Sequence, residues 1–120
     1  MTSFILLDWQ AWRIDFPLYD LAYMMTLIWH PDQRQTMEIK LLNCYYNCLL
    51  QNGITNYSWN ECWCGYRVSA IMILQVPFIF FGYKLSQDVW WPAMEKSYMA
   101  FQDLQCIELL DGGTPARERV

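Results

Sequence analysis

The chain has 120 residues, of which 55% are hydrophobic and 18% aromatic, with only 17% charged and a net charge of −4. One domain of this length buries about two-thirds of its unfolded surface, and the apolar content is high for such a domain, so a missing lobe, a partner chain or self-association is expected to cover the excess. The acidic balance, with basic residues scattered apart from Arg117 and Arg119, excludes an electrostatic footprint for nucleic acid.

Residues 4–7 are a short apolar run closed by Asp8. That pattern predicts a buried strand or extended segment and is too short for a helix. A loop rich in aromatics follows, with Trp9, Trp12 and Phe16. A first helix is predicted over residues 17–29: Asp15 is placed to cap it, Pro17 has a φ suited to a first turn, and Asp20 sits near the positive end of the dipole. Leu18, Leu21, Ala22, Met25 and Ile28 recur at helical spacing with a thin polar side, so this helix is expected to be mostly buried. His30-Pro31 ends it, because the residue before a proline is pushed out of the helical region.

Residues 32–52 predict a long amphipathic second helix. Met37, Leu41, Cys44, Tyr45, Cys48 and Leu49 form its apolar stripe, and Gln33, Lys40, Asn43, Asn47 and Gln51 its wet side. Arg34 and Glu38 read as an ordinary helix pair four residues apart, of about 0.2–0.5 kcal/mol. Gly53 stands where a left-handed residue closes a helix.

Ser58-Trp59-Asn60-Glu61 is a capping box before an apolar run, and predicts a third helix reaching about residue 83. Residues 68–83 carry no charge, and Pro77 is expected to bend or end the helix. The stretch falls short of the ~18–20 apolar residues of a membrane span and contains Gln75 and Pro77, so a core helix is expected rather than a span. A fourth helix is predicted to start between Asp88 and Pro92 and to run to about residue 104. Met94, Tyr98 and Phe101 lie on one side of it, and Glu95, Lys96 and Gln102 on the other. Residues 107–110 are a short apolar tag, and residues 111–120, with Gly112-Gly113 and Pro115, a disordered tail.

The five cysteines are Cys44, Cys48, Cys62, Cys64 and Cys106. No secretory leader pattern opens the sequence, which gives a secreted, disulfide-bonded reading no support, and a cytoplasmic location is expected. Cys44 and Cys48 share a helix face and Cys62-x-Cys64 lies a short loop away, so four thiolates could in principle hold zinc. The spacing is not of the paired Cys-x₂-Cys kind, and buried thiols are the expectation. His30 reads as a helix-end residue rather than a base.

Asp8-Trp9-Gln10, followed by Asp15 and Asp20-Leu21-Ala22-Tyr23, resembles the metal-binding segment of the aminoglycoside/choline kinase-like small-molecule phosphotransferases. Tyr57-Ser58-Trp59, Tyr66-Arg67, Pro77 within an apolar helix and Asp103-Leu104 extend the similarity along the chain. The resemblance implies a mainly α fold: the helical C-lobe of a protein-kinase-like architecture over residues 1–110, with a short N-terminal strand. It also implies roles in phosphoryl transfer to a hydroxyl of a small acceptor. Asp8 would be a Mg²⁺ ligand, Asp20 a structural aspartate pinning the catalytic loop, and Gln10, Trp12 and Arg13 the lining of a substrate cleft. Mg²⁺ and ATP are the family's cofactors. The family's His-Gly-Asp catalytic loop, with an Asn five residues later, and its nucleotide lobe do not occur in these 120 residues. The resemblance is thus to a C-terminal lobe fragment with no catalytic residue of its own, expected to bind Mg²⁺ and ATP weakly and to be inactive in isolation. The alternative is a non-catalytic helical protein-interaction module.

Overall fold

A computed structural model describes residues 3, 5 and 17–111. The chain is mainly helical, as the sequence predicts, and no strand occurs among the described residues. The expected strand over residues 4–7 falls largely outside them; Ile5, its described member, is exposed and in no regular element. The helices are α1 (Tyr19–Ala22), which runs into a π-helical segment (Tyr23–Ile28), then α2 (Pro31–Gln51), α3 (Trp59–Ile73), α4 (Val76–Gly82), α5 (Gln87–Asp103) and α6 (Ile107–Leu110).

α1 opens at Leu18 with no side-chain cap; Asp15, expected to provide one, lies outside the described residues. The helix then widens. Thr26 Oγ1 donates to the Ala22 carbonyl at 2.7 Å, and the Trp29 N–H reaches back five residues to the Met24 carbonyl at 3.0 Å. The hydroxyl occupies a carbonyl that an α-helix offers to its own amide, which loosens the ladder where the π turn forms. Trp29 turns extended, and His30, directly before Pro31, is held at ψ 140° as the proline requires.

α2 begins at Pro31, with His30 Nδ1 accepting from the Asp32 N–H at 3.4 Å. Its inward face differs from the predicted stripe. Arg34, Glu38 and Leu42 are buried, Met37, Leu41, Tyr45 and Leu49 only half-buried, and Cys44 and Cys48 exposed. The buried line is shifted by one residue because α2 docks through charged groups, which hydrophobic periodicity does not register.

The capping box opens α3 as expected: Ser58 Oγ accepts from the Glu61 N–H at 3.1 Å and Glu61 Oε2 from the Ser58 N–H at 2.8 Å. α3 is the central element, packing on α1, the π segment, α2 and α5, while α4 folds back along α5. Ile73 and Tyr66 on α3, Met25 and Ala22 before it and Ala100 on α5 are fully buried. The chain breaks at Leu74-Gln75, and Pro77 enters the first turn of α4. There its missing N–H costs nothing, whereas in a continuous helix its ring would strike the Ile73 carbonyl. Taken together, Trp59–Gly82 is long and apolar enough to cross a membrane by length and composition, with mean hydropathy 1.6. The buried side of α3, however, carries Arg67, Ser69 and Tyr66 into the protein core.

α5 starts earlier than predicted, at Gln87, and holds Pro92 inside the helix rather than at its first position. The Phe81 and Trp90 rings meet edge to face at 5.3 Å and hold this first turn against α4. Small residues, Ala93, Ser97 and Ala100, form the buried face of α5. Of the predicted side of Met94, Tyr98 and Phe101, Tyr98 is exposed, because the line that faces the core carries the short side chains. Residues 112–120, the predicted disordered tail, lie outside the described residues.

Three helices end in the same way. Gly53, Lys84 and Gln105 have positive φ of 93°, 60° and 52°. Each is followed by an amide that reaches back five residues: Ile54 to Leu49, Leu85 to Phe80 and Cys106 to Phe101, all at 3.1 Å. This is the Schellman arrangement, in which glycine is favoured at the left-handed position. Only Gly53 matches that preference. Lys84→Gly and Gln105→Gly are each expected to raise stability by about 0.5–1 kcal/mol, the left-handed strain relieved less the added unfolded-state freedom. Gly53→Ala should lower it, although no atom lies within 4 Å of the new methyl. Urea unfolding of the three variants measures both signs.

Candidate functional site

Of the residues assigned site roles from the sequence, Asp8, Gln10, Trp12 and Arg13 lie outside the described residues. Asp20 is described: it stands in the first turn of α1 and is exposed. Among the described residues, no group of three or more His, Cys, Asp or Glu side chains could hold a metal ion. The metal role expected of Asp8 falls outside the described residues.

What the body does assemble is a buried polar centre. Arg34, 1% exposed, projects from α2 into the middle of the fold. Its Nη1 donates to Glu38 Oε1 and Oε2 at 3.2 and 3.3 Å, and its Nη2 to Asp103 Oδ2 at the end of α5. Tyr66 Oη on α3 donates to Glu38 Oε2 at 2.7 Å, and Gln35 Nε2 to Asp103 Oδ2 at 2.8 Å. One guanidinium thus ties α2 to α3 and α5. The sequence reading of Arg34 and Glu38 as a weak surface pair is corrected here: both are buried, and a buried pair that loses one partner costs about 3–5 kcal/mol.

A second arginine completes the centre. Arg67, 4% exposed, donates from Nε to the Leu104 carbonyl at 2.8 Å, and from Nη2 to the Gln105 carbonyl at 2.6 Å and to Glu108 Oε2 at 3.0 Å. These carbonyls belong to the C-terminal end of α5, where unpaired acceptors and the negative end of the dipole favour a cation. Arg67 is a positioning residue for the α5–α6 corner. Cys106 lies beneath it, its Sγ 3.7 Å from the Arg67 carbonyl. Burial pushes this thiol up to about 11, against the lowering effect of the Arg67 charge.

The cysteines divide differently from the sequence expectation of buried thiols. Cys62 and Cys106 are buried and Cys64 is half-buried, while Cys44 and Cys48 are exposed. Burial also raises the Cys62 thiol, with a hydrogen bond to Tyr57 working the other way. Tyr46, Asn56, Tyr57 and Glu61 line an open depression at the α2–α3 loop. The Tyr46 hydroxyl there is spent on the Tyr57 carbonyl at 2.9 Å and the Glu61 carboxylate caps α3, so the depression presents no poised acid, base or nucleophile.

Comparison with known proteins adds one finding. Residues 1–54 match the model of the Ecdysteroid kinase-like family. The match supports a kinase-like family at a coarse level, and the mainly helical body is consistent with the helical C-lobe of a kinase-like fold. No curated protein and no solved structure matches the chain. The matched span holds Asp8-Trp9-Gln10 and Asp20-Leu21-Ala22-Tyr23, and also Arg34 and Glu38. Tyr66-Arg67 and Asp103-Leu104, scattered in sequence, meet in the buried centre: Tyr66 bonds Glu38, Arg67 bonds the Leu104 carbonyl and Asp103 bonds Arg34.

The centre has a defined pH window. Burial alone would raise the Asp103 carboxyl, but hydrogen bonds from Gln35 and Arg34 and the Arg34 charge hold it below its ordinary 3.8. A depressed folded-state value contributes stability above the unfolded value, lost as pH falls through the folded one. For Tyr66, burial, then the Glu38 charge and hydrogen bond, push the phenol above its ordinary 10.0. Its contribution is full below 10 and is lost as pH rises through the folded value. Asp103→Asn should be destabilising at neutral pH and converge with wild type below pH 3.8, and Tyr66→Phe should flatten the alkaline fall above pH 10.0. Urea midpoints across pH measure both.

Proposed function

We propose that these 120 residues are the C-terminal, helical part of a small-molecule kinase that transfers the γ-phosphate of ATP to a hydroxyl of its acceptor. The observation that carries this reading is the family match over residues 1–54, because it spans Asp8-Trp9-Gln10 and the Asp-Leu-Ala step at Asp20. The description of that family favours an ecdysteroid-like acceptor over an aminoglycoside or choline. In phosphoryl transfer the protein supplies positioning and charge neutralisation, and Asp8 would hold the Mg²⁺ that bridges the nucleotide phosphates. Gln10, Trp12 and Arg13, two to five residues further on, would face the acceptor. Asp20, exposed at the start of α1, would accept hydrogen bonds from the backbone of the catalytic loop, a role favoured by its place at the helix N-terminus.

A second reading, a non-catalytic helical interaction module, is favoured by the α4–α5 hairpin. Phe78, Phe81 and Tyr83 there are 63%, 62% and 79% exposed, and Trp91 is exposed as well. So much uncovered aromatic surface is unusual on a monomer.

The two readings part at Asp8. One carboxylate binds a divalent ion weakly, so the probe is Mn²⁺ at millimolar concentration followed by amide NMR of the 120-residue chain. The kinase reading predicts line broadening centred on Asp8 and its neighbours, abolished in Asp8→Asn. It also predicts no ATP-dependent phosphorylation of ecdysteroid by the chain alone, since loss of a general base costs about 10²–10⁴-fold before the missing nucleotide lobe is counted. Broadening indifferent to Asp8→Asn would contradict the metal role.

A further inference from the structure

Cys44 and Cys48 lie four residues apart in the unbroken α-helix α2, Pro31–Gln51, and both are exposed. Residues at that spacing are neighbours on the helix surface, with Cβ atoms about 5–6 Å apart. Helical side chains lean towards the N-terminus, which brings the Cys48 thiol over the turn that carries Cys44. A disulfide needs Cβ atoms about 3.5–4.5 Å apart, so this pair cannot close directly without deforming the helix. An atom placed between the two sulfurs adds a bond length on each side and removes that misfit. Zinc is the wrong occupant: it takes four ligands, and no third His, Cys, Asp or Glu joins the pair among the described residues. Cys62, needed for the four-thiolate alternative, is buried in the core.

We infer that Cys44 and Cys48 form a bidentate dithiol site on α2 for soft centres satisfied by two thiolates, trivalent organic arsenicals being the class that fits. In the binding step an arsenic(III) oxide R–As=O meets two thiols. Two As–S bonds form, the oxygen leaves as water with both thiol protons, and nothing is oxidised or reduced. The site is independent of the kinase reading, since it uses no residue assigned to phosphoryl transfer.

The test uses the 120-residue chain with phenylarsine oxide, followed by an excess of glutathione and intact-mass analysis. Chelation by two thiols on one rigid helix makes the second bond intramolecular. Wild type should therefore keep one phenylarsenic per chain, losing it about 100-fold more slowly than Cys44→Ser or Cys48→Ser. Cys64→Ser should behave as wild type, because residues at the Cys62–Cys64 spacing do not face each other on a helix. Diamide should produce no intrachain Cys44–Cys48 disulfide. The inference is overturned if the adduct survives glutathione in either single variant or is lost from wild type as fast as from them. It is equally overturned if arsenic bridges two chains, or if diamide closes the Cys44–Cys48 disulfide.

Discussion

A guanidinium taken out of water must be met on every side, and that requirement organises this fold. Arg34 leaves α2 almost fully buried, and its charge is answered by Glu38 one turn along the same helix and by Asp103 at the end of α5. Glu38 is buried in turn and needs a donor beyond Arg34, which Tyr66 supplies from α3. The three long helices are thus fixed in register by a polar contact rather than by hydrophobic volume alone. Such a centre adds little net stability over an apolar one of the same shape. Its loss in part is costly because an unmatched charge remains inside.

Around that centre the ends of the helices are secured by backbone chemistry. Arg67 caps the last carbonyls of α5, and Gln105 turns left-handed so that Cys106 can reach back to Phe101. The α5–α6 corner therefore rests on α3 through one side chain. The same corner carries Asp103, so the two arginines hold adjacent residues, Asp103 and Leu104, from two different helices. Movement of α5 would disturb both arginines together. The match to the Ecdysteroid kinase-like family reaches residue 54 and so includes Arg34 and Glu38, which places half of this centre inside the matched span and half beyond it.

Much of the architecture is legible in the sequence, because its signals are local. The capping box at Ser58, the left-handed Gly53, the stop at His30-Pro31 and the break before Pro77 each follow from a few neighbouring residues. The inward face of α2 was not legible. Hydrophobic spacing pointed to Cys44 and Cys48, whereas the buried line runs through Arg34 and Glu38, whose partner Asp103 is 69 residues from Arg34. A charge pair at helical spacing reads as solvent-exposed unless its third partner is known. The start of α5 was misplaced for a related reason: Pro92 is tolerated inside the helix beside the Phe81–Trp90 contact, which no local rule anticipates. Tyr66-Arg67 and Asp103-Leu104 carried a sequence hint of the centre, as a similarity rather than a derivation.

The central claim is that Arg34 and Glu38 act as a matched buried pair, and non-additivity tests it most directly. Glu38→Met alone leaves the guanidinium of Arg34 with Asp103 as its remaining charged partner, and the expected loss is about 3–5 kcal/mol. Arg34→Met combined with Glu38→Met removes both charges and fills a similar volume, so the double variant should be more stable than the single one. Urea unfolding of the wild type, both single variants and the double variant gives the cycle. A double variant whose loss equals the sum of the two single losses would contradict the account, because it would mean that the two side chains stabilise the fold independently.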